Sequence, residues 1–179
     1  MSGLMLIEGM KKLRLIENKM KDNAKAIQRY SSMVSVEKPL FETEDKQKAE
    51  LKKLLQSNTD LMARYLELKK RVEYTNLMTT VEIGGIHYAI SDLLVIQRRM
   101  NNLMLNTFTS LNDIEGTSRL RSYNYSPDSS GKRPNVVRFY KEEDKNKGLS
   151  VWQELSDNII IRLEVINAMT PLMSLPQPG

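Results

Sequence analysis

TEDKQKAELKKLLQSNTDLMARYLELKKRVEYTN, residues 43–76, is the stretch on which the fold turns. Within it Leu51, Leu54, Leu61, Tyr65, Leu68 and Val72 recur at intervals of three, four and seven, and Asn58 fills the one vacant place in the series. That interval set lines one face of a helix along its whole length and predicts packing against other helices. At about 1.5 Å per residue the helix would run roughly 50 Å, more than a compact domain needs from one core element, so it reads as the spine of a bundle. Thr43 is the expected N-cap, and Glu44 and Asp45 suit the positive end of the helix dipole. Leu55, Met62 and Leu66 widen the apolar stripe beyond a two-stranded coiled-coil seam and predict neighbours on two sides.

Upstream of this spine, Leu6, Met10, Leu13, Ile16, Met20, Ala24 and Ile27 repeat at threes and fours, which predicts a helix over residues 3–31. Its other faces are basic, with Lys11, Lys12, Arg14, Lys19, Lys21, Lys25 and Arg29 against Glu17 and Asp22, the composition of a solvated face. Pro39 then breaks the pattern by forcing an extended residue before it. Downstream, Val81, Ile83, Ile86 and Tyr88 flank Gly84-Gly85, the composition of a tight β-hairpin whose turn needs positive φ. A third helix is expected over 89–113, where Leu93–Ile96, Met100, Leu103, Met104, Leu105, Phe108 and Leu111 supply apolar contacts on more than one side. Its uncharged polar residues Asn101, Asn102, Asn106, Thr107 and Thr109 suit equally a face laid against another subunit and one exposed to water.

Residues 115–148 read as a long basic and aromatic loop, with a short strand over Val136–Tyr140. The fourth helix, 150–169, opens on a capping box formed by Ser150 and Gln153, and Trp152, Leu155, Ile159, Leu163 and Ile166 make its core stripe. Thr170-Pro171 ends it, and 171–179 is an extended tail. The expected architecture is mainly α. It is a four-helix antiparallel bundle of long helices in a single domain over 1–179, with a small β-hairpin between helices 2 and 3 and the basic loop between helices 3 and 4.

Composition narrows the function. With 40% hydrophobic and 27% charged residues the chain is ordinary for a soluble globular protein. Its longest strongly apolar run, Leu93–Ile96, is far short of the roughly 20 residues that cross a bilayer, so no membrane partner is expected. Leu4–Ile7 has no basic residue before it, so secretion through a signal peptide is not expected. There is no cysteine, hence no disulfide, thiol nucleophile or thiolate metal site, and the single histidine, His87, has no second imidazole to join it. The net charge of +5 is concentrated: residues 116–141 hold Arg119, Arg121, Lys132, Arg133, Arg138 and Lys141 against Asp128 alone, also a net of +5.

Several features in order resemble the septicolysin-like family of small, mostly uncharacterised helical bacterial proteins. They are Asp22-Asn23-Ala24, Arg71-Val72-Glu73-Tyr74-Thr75-Asn76, the glycine turn followed by Tyr88–Arg99, the basic and aromatic stretch Ser122–Tyr140, and Arg162–Ala168. The resemblance spans nearly the whole chain, with Thr75-Asn76 and the turn after it as its most specific part. It implies a helical fold and carries over no catalytic residue. Ala168 stands where that family often bears a tryptophan; here the only tryptophan is Trp152. Despite the toxin in the family's name, no amphipathic strand pair or long apolar helix suited to a pore is present.

No nucleophile, base and acid set is visible, no glycine-rich phosphate loop follows Gly84-Gly85, and no Glu-x-x-His pattern suggests a di-iron site. The chain is therefore expected to be non-enzymatic, with no cofactor and no metal. Its expected role is that of a structural or interaction protein: a homo-oligomer or a subunit of a larger assembly, such as a minor component of a virus or phage particle. Cytoplasm or virion is the expected location. The candidate contact residues are Arg119, Arg121, Tyr123, Tyr125, Lys132, Arg133, Arg138 and Tyr140. The alternative is nucleic-acid binding, because arginines beside tyrosines can neutralise phosphates while the rings stack on bases. A third reading, an uncharacterised enzyme, would centre on His87.

Overall fold

The computed structural model describes residues 3–122 and 133–176. In order the elements are α1 (Leu6–Tyr30), α2 (Glu44–Met78), β1 (Thr80–Ile83), β2 (Ile86–Ala89), α3 (Ile90–Val95), α4 (Asn101–Thr109), α5 (Ile114–Ser122) and α6 (Glu142–Met169). A π-helical turn, Ile96–Met100, joins α3 to α4 without a break. The chain is thus mainly helical, with four principal helical passages and a small antiparallel hairpin between the second and the third, as expected. Gly84 and Gly85 take φ of 60° and 80°, the left-handed pair that the two-residue turn demands.

Tertiary contacts gather into two units. The first comprises Met1–Val81, Ala89–Ser91 and Glu164–Gly179, and the second Glu82–Tyr88 and Asp92–Leu163.

In the first unit α1 and α2 lie antiparallel. Gln47 near the start of α2 donates to the Tyr30 carbonyl at the end of α1, and Asn58 at the middle of α2 meets Asn23. The inward positions of α2 are Gln47, Leu51, Leu54, Asn58, Leu61, Tyr65, Leu68, Val72 and Thr75, a strict alternation of fours and threes. On α1 they are Leu6, Gly9, Leu13, Ile16, Met20, Asn23, Ile27 and Tyr30. Asn23 takes the inward place expected of Ala24, which is exposed. Gly9 lies inward because a Cβ there would stand 3.3 Å from both Leu172 and Val72. Asn23 Nδ2 donates to Asn58 Oδ1 (2.9 Å) and to Ser57 Oγ (3.2 Å), so the vacant place in the apolar series holds a polar layer.

The expectation of neighbours on both sides of α2 is not met. Leu55, Met62 and Leu66 remain 52%, 50% and 49% exposed, because a strict alternation of fours and threes presents only a narrow seam, and α1 fills it. The tail supplies the rest of this core: Leu6 N–H donates to Thr170 O (2.8 Å), Leu172 N–H to Leu4 O (2.7 Å), and Leu172 is buried. Thr75, with no exposed surface, donates from Oγ1 to Arg71 O and accepts from the Met173 N–H at 2.9 Å.

In the second unit Leu93 and Ile159 are fully buried, Leu163 nearly so, and Trp152 and Leu155 half-buried on the expected stripe of α6. Two boundaries differ from expectation. Helix α6 starts at Glu142, eight residues before Ser150, which leaves Ser150 inside the helix. Its first turn carries Glu142, Glu143 and Asp144, which favour the positive helix end, and Gly148 does not break it because the Phe108 ring occupies the space a side chain would take. Residues 114–122 are helix α5 instead of loop, since Asn112 Oδ1 accepts the Ile114 N–H (3.1 Å) and Asp113 O accepts that of Thr117 (2.8 Å). The strand expected over Val136–Tyr140 is absent; residues 133–138 are irregular, with no described strand beside them to pair with.

Candidate interaction site

The expected contact residues fall into three groups. Tyr123, Tyr125 and Lys132 lie outside the described residues. Arg119 and Arg121 are exposed in the last turn of α5, where cations suit the negative helix end, and Arg133 is exposed beyond it. Among the described residues these three arginines have no ion-pair partner.

Arg138 and Tyr140, by contrast, are engaged within the second unit. The Arg138 guanidinium donates to Asp113 Oδ2 from Nε (3.1 Å) and from Nη2, and Nη1 lies 3.5 Å from Glu142 Oε1. The Tyr140 hydroxyl donates to the same Glu142 oxygen at 3.0 Å. Lys145 Nζ stands 6.0 Å from the Tyr140 ring centroid, within cation–π range. The hydrogen bonds from Arg138, and then its charge, hold the Asp113 carboxyl below the usual aspartate value. Asp113 in turn keeps the guanidinium more firmly protonated. Partial burial, followed by the bond to Glu142, pushes the Tyr140 phenol up.

This network fixes how the 133–140 segment sits on its own unit. Val136 packs where a Cβ on Gly116 would be, 2.8 Å from Val136 Cγ1, so only glycine allows that approach. With Asp113 facing Arg138 and Gly116 facing Val136, the segment runs antiparallel to α5. Alternate residues are tied down, and those between them face solvent: Val137 is 63% exposed and Phe139 97%. A phenylalanine that bare, on a segment held by a two-pronged arginine contact, is the most conspicuous apolar group of this unit.

The first unit has its own concavity where α1 passes into α2. Gln47 ties it together, with Nε2 donating to Tyr30 O (3.0 Å) and Oε1 accepting from Leu40 N–H (3.0 Å). Tyr30 meets the Phe41 ring edge-on, with centroids 4.9 Å apart. Beside this corner lies a cleft of about 230 Å³ walled by Tyr30, Met33, Gln47 and Leu51, with Glu44 and Lys48 at its side. The two charged residues of its lining, Glu44 and Lys48, pair with each other at 3.3 Å. Nothing in the sequence reading pointed to this cleft, because its walls come from two helices and the connection between them.

His87 is exposed on β2, and among the described residues no three His, Asp or Glu side chains stand together as metal ligands would. No described helix is long and apolar enough to cross a membrane.

No protein-family model and no curated protein matches the sequence. Among solved structures, the chain is similar to one described as the crystal structure of a functionally unknown conserved protein from Corynebacterium diphtheriae. The two share 16% identity at a TM-score of 0.56, with 96% of this chain and 99% of that chain covered. At that identity the likeness is one of fold.

Proposed function

We propose that this protein is a non-enzymatic interaction protein, a subunit of a larger protein assembly, and that it makes contact through residues 113–145. The observation that carries the reading is Phe139, 97% exposed on a segment pinned by the bonds of Arg138 to Asp113 and of Tyr140 to Glu142. Exposing a phenylalanine gains nothing for folding, and pinning it lowers the entropy lost when a partner covers it. An aromatic anchor with an arginine rim is the composition that protein interfaces favour. The test is a photocrosslinking phenylalanine analogue placed at 139 in cells. Crosslinked protein adducts are expected, and their absence at 139 alongside adducts at control positions refutes the reading.

Nucleic-acid binding is the second reading, favoured by Arg119, Arg121 and Arg133, which lack ion-pair partners among the described residues. It is the weaker one because Arg138 and Tyr140, which would hold a phosphate and stack on a base, are committed to Asp113 and Glu142. Anisotropy of a labelled oligothymidylate decides it. Binding by this route falls steeply as salt rises and is lost when the three arginines become glutamine.

A further inference from the structure

We infer that a second copy of this chain packs, parallel, against the outward face of helix α6. The contact is separate from that of Phe139 and does not depend on it.

Helix α6 carries two apolar series that share no member. Trp152, Leu155, Ile159, Leu163 and Ile166 turn inward and are buried or half-buried. Val151, Ile161, Val165 and Met169 turn outward, each about half exposed or more. Over 149–169 only Glu154, Asp157, Arg162 and Glu164 are charged, so the outer face is far more apolar than the solvated side of a helix ordinarily is.

The spacing and the charges of the outer series select what covers it. Asn158, Ile161, Val165 and Ala168, all exposed, follow one another at intervals of three, four and three. In heptad terms Asn158 and Val165 take position a and Ile161 and Ala168 position d, which leaves Asp157 and Glu164 at g and Arg162 and Met169 at e. A β-branched valine at a favours two parallel strands, and an asparagine at a fixes their register. The Asn158 amides of two copies can then pair across the axis, as Asn23 and Asn58 do within the chain. In a parallel pair each g residue meets the e residue five places on in the other copy, so Asp157 meets Arg162, and the two-fold axis repeats the contact. An antiparallel pair would set g against g and e against e, acid against acid and arginine against arginine. Within its own chain Asp157 accepts a 3.4 Å bond from Gln153, and neither Asp157 nor Arg162 has an ion-pair partner among the described residues. Glu154, the next d position toward the N-terminus, would face its own mate, so the contact is confined to the last three turns of α6.

Sedimentation of the 179-residue chain over a range of concentrations tests the inference. A contact three turns long is small, so the wild type should pass from monomer to dimer only at high concentration and grow no further. Ile161→Glu should abolish the dimer and leave circular dichroism unchanged, because Ile161 is exposed in the monomer. Asp157→Arg and Arg162→Asp each set like charges together twice and should each weaken dimerisation about tenfold. Both changes in one chain restore opposite charges at both contacts and should restore the affinity. The two single variants, mixed, should likewise form a 1:1 heterodimer in preference to either homodimer.

A wild type that stays monomeric throughout, or that grows beyond a dimer, overturns the inference, as does a dimer that survives Ile161→Glu. Single charge variants that dimerise like the wild type refute the parallel pairing. Phe139→Ala should leave the dimer intact; if it abolishes the dimer, the copies join through residues 113–145 and the α6 assignment falls while the interaction reading stands. A dimer lost with Ile161→Glu, together with no adduct at 139, keeps the α6 contact and removes the reading above.

Discussion

Replacing Gly148 by alanine tests the packing of the second unit where two ordinary effects oppose each other. In a helix interior the change normally stabilises by about 1 kcal/mol, because glycine has more backbone freedom to lose. Here a Cβ on Gly148 would stand closer than 3.0 Å to three carbons of the Phe108 ring. Contacts that short do not survive, and the ring is the part that must yield. Swinging the ring aside or shifting the helix is overpacking, which costs about 1–3 kcal/mol. The expected net effect of Gly148→Ala is therefore a loss of about 1 kcal/mol, or a fall in Tm of about 2–4 °C for a chain of this length. Urea unfolding followed by circular dichroism measures it. Combining the substitution with Phe108→Ala removes the obstacle, so in that background Gly148→Ala should stabilise by about 1 kcal/mol. A Gly148→Ala variant more stable than wild type, or one whose effect keeps its sign without the ring, would refute the account.

Other outcomes follow from the same contacts. Asn58→Leu alone leaves the Asn23 amide short of a partner in the seam and should cost about 1–3 kcal/mol, whereas the double change Asn23→Leu/Asn58→Leu should recover most of it, both read by urea unfolding. Thr75→Val keeps the shape of a fully buried side chain but removes the acceptor of the Met173 N–H. Exchange of that amide should quicken while the middle of α2 stays protected. The Asp113 carboxyl titrates below its ordinary 3.8, so its pairing with Arg138 is fully present above that pH and is lost as pH falls through the lowered folded-state value. Protease sensitivity of residues 133–140 should rise only in that acid range, and Asp113→Asn should show the sensitive form at neutral pH as well.

The elements that could be read from the sequence are those whose cause is local. Thr43 accepts the Lys46 N–H at 3.3 Å, as an N-cap should, and Gly84-Gly85 makes the turn that two glycines between alternating apolar residues demand. The start of α6 was misread because Ser150 and Gln153 look like a cap and Gly148 like a break, and only the Phe108 ring explains why glycine sits inside that helix. The acidic triplet Glu142, Glu143 and Asp144 was the available signal. At the contact site, the basic and aromatic character of 119–140 was legible, but not which members are engaged. Arg138 is 25 residues from Asp113, and no periodicity links an arginine to an acid at that separation. Leu55, Met62 and Leu66 were misjudged for a related reason: an apolar residue beside a seam looks the same in sequence whether or not a second helix covers it.

The amide pair at Asn23 and Asn58 works as a lock on alignment. Its numbers and those of the Gly9–Val72 contact have the same total, 81, so one register holds between the two points. Sliding α1 along α2 by a heptad, about 10 Å, would preserve nearly every apolar layer but set Asn23 against Leu51 or Tyr65 and Asn58 against Ile16 or Tyr30. Apolar layers alone cannot tell one register from the next; two amides that bond across the seam can. That single layer is what obliges Tyr30 to finish beside Gln47, and so builds the cleft at one end of the pair from a choice made in the middle of it.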